Sequence, residues 1–372
     1  MFARHLPQRL GAAILGSVVL VSLIAGCTTA ETTPTPEATE SGPRVPLAEL
    51  ALLENPRAFV GESTAILTSA AIAPITENPE QSLPVTVTSY DLDGHTPVTV
   101  DSTDRVLGLD LSGSIAATIF GLGLGDTLIG RDISTTFPGT EDLPVVTTGG
   151  HSINSEAILA LRPTLVITDG TIGPIDVVLQ LRDAGIPVVF VDTTPDFEGV
   201  GTLARQVSAA MGAPATGELL AASLKDSIDA KVQEIAAITP AAEGDKLRIL
   251  FLYLRGTSGV YYLFGEESGA DVLIQAVGGI DVAGEIGWTG MKPVTDEALV
   301  SANPDLIFVM TAGLASAGGV DGLLESNPAI GLTQAGQNRR FVDMADGEIL
   351  SFGPRSADVL DALARAIYAP ES

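Results

Sequence analysis

Two places in the sequence hold side chains able to bind a hard trivalent metal. One is Gly149-Gly150-His151-Ser152, and the other is Tyr253-Leu254-Arg255. Imidazole is the commonest nitrogen donor in proteins, and a phenolate is a hard, anionic oxygen donor suited to iron(III). A free phenol gives up its proton only near pH ~10, so a tyrosine ligand needs help. The metal itself supplies most of that help, and a neighbouring cation adds to it. Arg255 is two residues from Tyr253 and, on a strand, points the same way. The two glycines ahead of His151 let its loop approach a flat ligand closely. A lone histidine is also a common surface residue, and a Tyr-x-Arg pair can be an ordinary amphipathic strand end. The elements that carry these residues decide which reading applies.

Those elements read as a duplicated α/β body. Arg105–Leu109, Asp126–Gly130, Leu165–Thr168 and Val188–Val191 are short apolar runs expected to be buried strands. Ser155–Leu161 and Ile175–Ala184 carry helical spacing between them. The stretch from Ile153 to Thr168 recurs from Val294 to Val309, 141 residues on, matching Glu156 with Glu297, Pro163 with Pro304 and Leu165 with Leu306. Each copy gives an acid at a helix N-terminus, a proline stop and a buried strand. Val106–Gly113 is likewise similar to Ile249–Gly256, which sets Tyr253 opposite Asp110 at the carboxyl end of a strand. In open α/β sheets ligands sit beyond that end. His151 and its counterpart Lys292 precede the two repeat helices, one in each half.

The fold class expected is α/β: two doubly wound lobes, residues 103–212 and 241–372, joined by a single long helix within residues 213–240. Leu219, Leu220, Leu224, Ile228, Val232 and Ile235 keep helical spacing there, and a stiff helix predicts modest lobe motion. Residues 44–102 form a smaller β-rich extension. Its helix-prone piece is Leu47–Leu53, and Val85–Tyr90 and Pro97–Val100 flank Asp93-Gly94 as a hairpin, with His95 beside the turn.

The first 26 residues have a basic start (Arg4, Arg9), an uncharged apolar run from Leu10 to Ala25, and small residues before Cys27, which is the composition of a secretory signal. Cys27 is the only cysteine, so the exported body has no internal disulfide. Residues 28–43 are Thr, Pro, Glu, Ser and Gly with little to bury, a tether rather than a fold. No later segment is long and apolar enough to span a bilayer. With 46 acidic against 19 basic residues and a net charge of −27, the chain repels nucleic acid and anionic lipid surfaces. No Gly-x-Ser-x-Gly elbow, His-Glu-x-x-His, phosphate loop or Cys-x-x-Cys is present, so no enzyme activity is expected.

Ile24-Ala25-Gly26-Cys27 resembles the lipobox of bacterial lipoproteins, which implies a lipid on Cys27 and a place on the outer face of the cell membrane. Two α/β lobes, one connecting helix and such an anchor resemble the metal-chelate class of importer binding proteins, which serve haem, ferric siderophores and cobalamin. That resemblance covers about Arg105 to Tyr368 and implies that Glu156 and Glu297 dock onto an ABC permease. Without it, each glutamate is simply a helix-N-terminus acid. The Gly-Gly-His loop, Tyr253-Leu-Arg255, Trp288-Thr-Gly-Met-Lys-Pro293 and Phe352-Gly-Pro-Arg355 are similar to the haem-binding lipoproteins of actinobacterial haem importers. This implies ferric haem b as cargo between His151 and Tyr253, with Arg255 bonded to the tyrosine. Ferric haem leaves two axial positions for such donors. Tyr261 and Tyr262 remain rivals for the oxygen ligand, Trp288 and Met291 are candidates to pack on the porphyrin, and a siderophore or cobalamin is the alternative cargo. A monomer is expected.

Overall fold

The structure, a computed structural model, describes residues 44–91, 94–148, 151–256 and 261–370. The signal segment, Cys27 and the tether lie outside the described residues. In the first lobe, Val106–Leu109, Leu165–Thr168 and Val188–Phe190 form a parallel sheet in that order. All three strands are fully buried, as continuous apolar runs in a parallel sheet must be. Among the described residues the second lobe gives six strands, around Arg248–Leu254, to a seven-stranded sheet. Leu306–Met310 and Phe341–Met344 extend the sheet in parallel on one side, while Tyr261–Phe264 and Met291–Pro293 add antiparallel strands on the other.

The duplication is visible in both registers. Val106 pairs with Leu165 in one sheet, and Ile249 with Leu306 in the other. The repeat helices, Ser155–Leu161 and Asp296–Ala302, are capped alike: Asn154 accepts from the Ala157 N–H and Thr295 from the Ala298 N–H. Both end on a left-handed residue, Arg162 and Asn303, just before the proline.

Two expected elements differ. Asp126–Gly130 is no strand: Gly125–Thr127 turns as a 3-10 helix, leaving only Leu128 to bridge Val106. Leu47–Leu53 is helical only at Leu47–Glu49, because tertiary bonds claim the backbone. Leu47 N–H donates to Glu234, and Leu53 N–H to the Tyr368 carbonyl.

The connecting helix, Pro214–Ala236, has 23 residues and packs on Phe197–Ala210. Gly217 makes this possible, since a Cβ there would lie 1.7 Å from Ser208 Oγ. Leu220, Leu224, Ile228 and Ile235 are buried, whereas Leu219, expected inside, is exposed. These buried residues belong to one core that also includes Val106, Ile167 and Val189 of the first sheet and Phe251, Phe308 and Val342 of the second. Two smaller cores lie elsewhere, one on the first lobe and one on the second.

The extension runs over both lobes. Ser63–Ala65 adds a parallel edge strand beside Phe341–Met344, and Arg57 pairs with Asp305 at 2.9 Å. Further on, Ile75 N–H donates to the Gly121 carbonyl, Ser82 N–H to Gly212, and Arg182 bonds Asp91 at 2.7 Å from the hairpin Val85–Asp91 and Gly94–Val100. Arg340 fastens the second-lobe end. It is fully buried, lies 4.6 Å from the Phe59 ring, and donates to Ser63 Oγ and the Ala366 and Ile367 carbonyls. Burial pulls its pKa down to about 10. Arg340→Ala should cost about 3 kcal/mol, because three acceptors and an aromatic face lose their partner together. Chemical denaturation checks this, and a loss below about 0.5 kcal/mol would mean that the extension is held without it.

Candidate functional site

Alternation along Arg248–Leu254 decides what Tyr253 faces. Leu250, Leu252 and Leu254, with Tyr261 and Leu263 of the next strand, point into the second lobe's own core. Ile249 and Phe251 point the other way, and Tyr253 shares their face. Tyr262 is the direct cross-strand partner of Tyr253, Phe264 that of Phe251, and Met291 that of Phe264. The Tyr253 ring meets Tyr262 at 6.4 Å and Phe264 at 6.2 Å, both edge-on. The result is an aromatic platform rimmed by the exposed Met291.

The Arg255 guanidinium stands 4.9 Å from the centre of the Tyr253 ring and donates to Asp346 Oδ2 at 2.7 Å. Burial works against its charge, but the Asp346 carboxylate and then Tyr253 outweigh that and hold its pKa above the ordinary value. Tyr261 is not part of this face. It is buried, and its hydroxyl donates to Asp296 at 2.6 Å, so burial and that carboxylate push its proton loss up. Tyr262 remains the aromatic oxygen beside Tyr253. Trp288 also lies apart, packed on the second lobe's core with its indole N–H donating to the Leu263 carbonyl at 3.2 Å.

On the first lobe, His151 ends the turn between Thr147–Thr148 and Ser152–Ile153. This hairpin hangs on the loop after Leu165–Thr168, where Ile153 N–H donates to the Gly173 carbonyl at 2.7 Å. His151 therefore sits on the carboxyl side of its sheet, as Tyr253 does on its own. Its backbone is left-handed, at φ 75°, and its Nδ1 is buried with no hydrogen-bond partner among the described residues. Unusual backbone and an unsatisfied buried nitrogen both call for a reason, and a ligand is one. Leu111 and Ile133, half exposed, follow the same edge. Gly149 and Gly150 lie outside the described residues.

The lobes touch beside these edges. Ser114 and Ser351 hydroxyls are 3.3 Å apart, Arg355 lies 5.5 Å from the Phe137 ring, and Gly347 packs on the Ser134 carbonyl. Glu156 and Glu297 are exposed in the first turns of the two repeat helices, with no salt bridge among the described residues. The structure thus groups Tyr253, Arg255 and Met291, sets His151 at the equivalent edge of the other lobe, and leaves Trp288 in packing.

Pattern reading missed an acidic cluster at the first sheet's edge. Asp110, the counterpart of Tyr253, is buried and accepts from Ser112 Oγ, Ser114 N–H and Ile115 N–H. Burial, with Asp169 and Asp132 nearby, raises its pKa to about 8. The folded value exceeds the unfolded one, so this group's stabilising proton is in place at low pH. Between pH 3.8 and about 8 the unfolded chain ionises first, and stability falls as pH rises. Asp110→Asn should therefore gain on the wild type by on the order of 2 kcal/mol between pH 5 and pH 8. Parallel melting curves across that range measure the gap, and a constant gap would contradict the assignment.

Residues 110–346 match a family model described as periplasmic binding protein. The uncharacterized ABC transporter substrate-binding lipoprotein YvrC of Bacillus subtilis (strain 168) is 26% identical over 251 residues, 67% of this chain and 76% of its own. The heme binding protein HmuT superposes with a TM-score of 0.79 at 40% identity, over 85% of this chain and 99% of that one. HmuT has also been solved with alanine replacing a histidine, a tyrosine, and an arginine two positions after the tyrosine. The periplasmic heme-binding protein RhuT from Roseiflexus sp. RS-1, in apo form, gives 0.65 at 36% identity, over 73% of this chain and 100% of its own. With a duplicated two-lobe body, a matching model over most of its folded length and relatives at this level, the chain belongs to the periplasmic binding protein family.

Proposed function

We propose that this protein is a lipid-anchored receptor that binds ferric haem between its lobes and delivers it to an ABC importer. The observation that carries this reading is Tyr253 on an aromatic face with the Arg255 guanidinium 4.9 Å from its ring. Phe264, Tyr262 and Met291 around it offer flat and polarisable contacts to a macrocycle. Iron(III) accepts the phenolate oxygen, and Arg255 stabilises the negative charge that remains on it. His151 supplies the second axial donor from the first lobe, where its buried Nδ1 has no hydrogen-bond partner among the described residues. The haem-binding relatives, one studied at residues of these same three types, support the cargo. Trp288, packed on the second lobe's core but partly exposed, stays a candidate for porphyrin contact.

Cys27 carries the lipid, which fixes the receptor to the outer face of the membrane; the relative YvrC is a lipoprotein. Glu156 and Glu297 are exposed in the first turns of equivalent helices of the two lobes, and each docks into a cationic pocket on the permease. The protein binds and releases without chemical change to its cargo.

Hemin titration of the purified protein should give a phenolate-to-iron charge-transfer band, which a siderophore or cobalamin receptor would lack. Tyr253→Ala should weaken hemin binding by at least about 100-fold, and His151→Ala by about tenfold with a changed spectrum. Tyr262→Phe should leave both unchanged. If Tyr262→Phe abolished the band while Tyr253→Ala kept it, the oxygen ligand would be the neighbouring tyrosine. Reversing both docking charges, Glu156→Arg with Glu297→Arg, should spare hemin affinity and stop uptake by cells; undiminished uptake would exclude docking through them.

A further inference from the structure

We propose that Asp346 is a positioning residue for cargo binding, holding Arg255 over Tyr253 and tying that grip to the seam between the lobes. This rests on Tyr253 being the iron ligand. Arg255 is a long side chain, 45% exposed, and left alone would spread over many rotamers in water. Asp346 Oδ2 fixes one of them through a 2.7 Å bond to Nη2. The guanidinium has five N–H donors, so this bond leaves the others free for the tyrosine oxygen.

Asp346 is itself immobilised. Its Oδ1 accepts from the Ala312 N–H at 2.9 Å, at the start of Thr311–Ser316. The same helix confines Arg255 from the far side. A Cβ on Gly313 would lie 2.8 Å from the Leu254 carbonyl oxygen and 3.3 Å from Arg255 Nη1, so only glycine lets the helix come this close. Arg255 is thereby packed between Gly313 and the Tyr253 ring, with Asp346 closing the third side.

Asp346 also opens the turn Asp346–Ile349, which leans on the first lobe. Its next residue, Gly347, has room for no Cβ, which would fall 2.7 Å from the Ser134 carbonyl oxygen. The Gly347 carbonyl accepts from Arg355 Nη2 at 3.1 Å, and Arg355 reaches Phe137 of the first lobe. The residue that orients the cation beside the ligand is thus part of the contact between lobes.

A double-mutant cycle tests this on the purified full chain loaded with hemin: wild type, Asp346→Asn, Asp346→Glu, Arg255→Ala and the pair Arg255→Ala with Asp346→Asn. Tyr253→Ala serves as reference. The readouts are the charge-transfer band and the rate of hemin transfer to an excess of a high-affinity haem acceptor. Asp346→Asn should speed transfer about tenfold and shift the band as Arg255→Ala does, the effect expected for losing a charge-assisted bond. Asp346→Glu should restore both, and the double variant should match Arg255→Ala within about twofold. A band lost in Tyr253→Ala but unmoved in Asp346→Asn would overturn this inference alone, as would effects that add in full in the double variant. A band that survives Tyr253→Ala would overturn the ligand reading, and this inference with it.

Discussion

One apolar core runs from the sheet of the first lobe, past the connecting helix, to the sheet of the second. Everything else in the molecule is arranged around that continuity. Burial is worth roughly 25 cal/mol per Å² of apolar surface, so parting the lobes far enough to expose this core would be strongly unfavourable. The shared core opposes wide parting of the carboxyl edges where His151 and Tyr253 sit.

The extension reinforces the same constraint. It enters the core through Leu47, adds an edge strand to the second sheet, crosses to the first lobe and ends in a hairpin locked by Arg182 and Asp91. A segment bonded to both lobes resists their separation from outside while the shared core resists it from within. The buried Arg340 and Arg355 show the cost of these seams: each is a cation kept from water, and burial lowers the pKa of both. Charge over the whole sequence is strongly negative, and the guanidinium over Tyr253 is itself paired with Asp346.

Much of this was legible in the residues. The repeat gave the fold because helix caps, a left-handed stop and a proline are short-range devices, written within a few residues of one another. Tyr253 and Arg255 could be paired from their two-residue spacing, although the strand stops at Leu254, just before Arg255. What depended on contacts far apart in sequence was hidden. Asp346 is distant from Arg255 along the chain, and nothing in either segment names the other. Choosing Tyr253 over Tyr261 required knowing which face of the sheet meets the second core. Trp288 lies outside a strand, so no periodicity assigned it a side. At Leu47–Leu53 the local preference was helical, yet the bonds to Glu234 and Tyr368 prevailed.

The central claim is that one iron is gripped by donors from opposite lobes. A crystal structure of the protein grown with hemin measures this directly. The account predicts iron bonded to the Tyr253 oxygen and a His151 nitrogen, with Arg255 still resting on Asp346. Iron bonded to Tyr262, or hemin lodged on an outer surface with His151 and Tyr253 both uncoordinated, would contradict it.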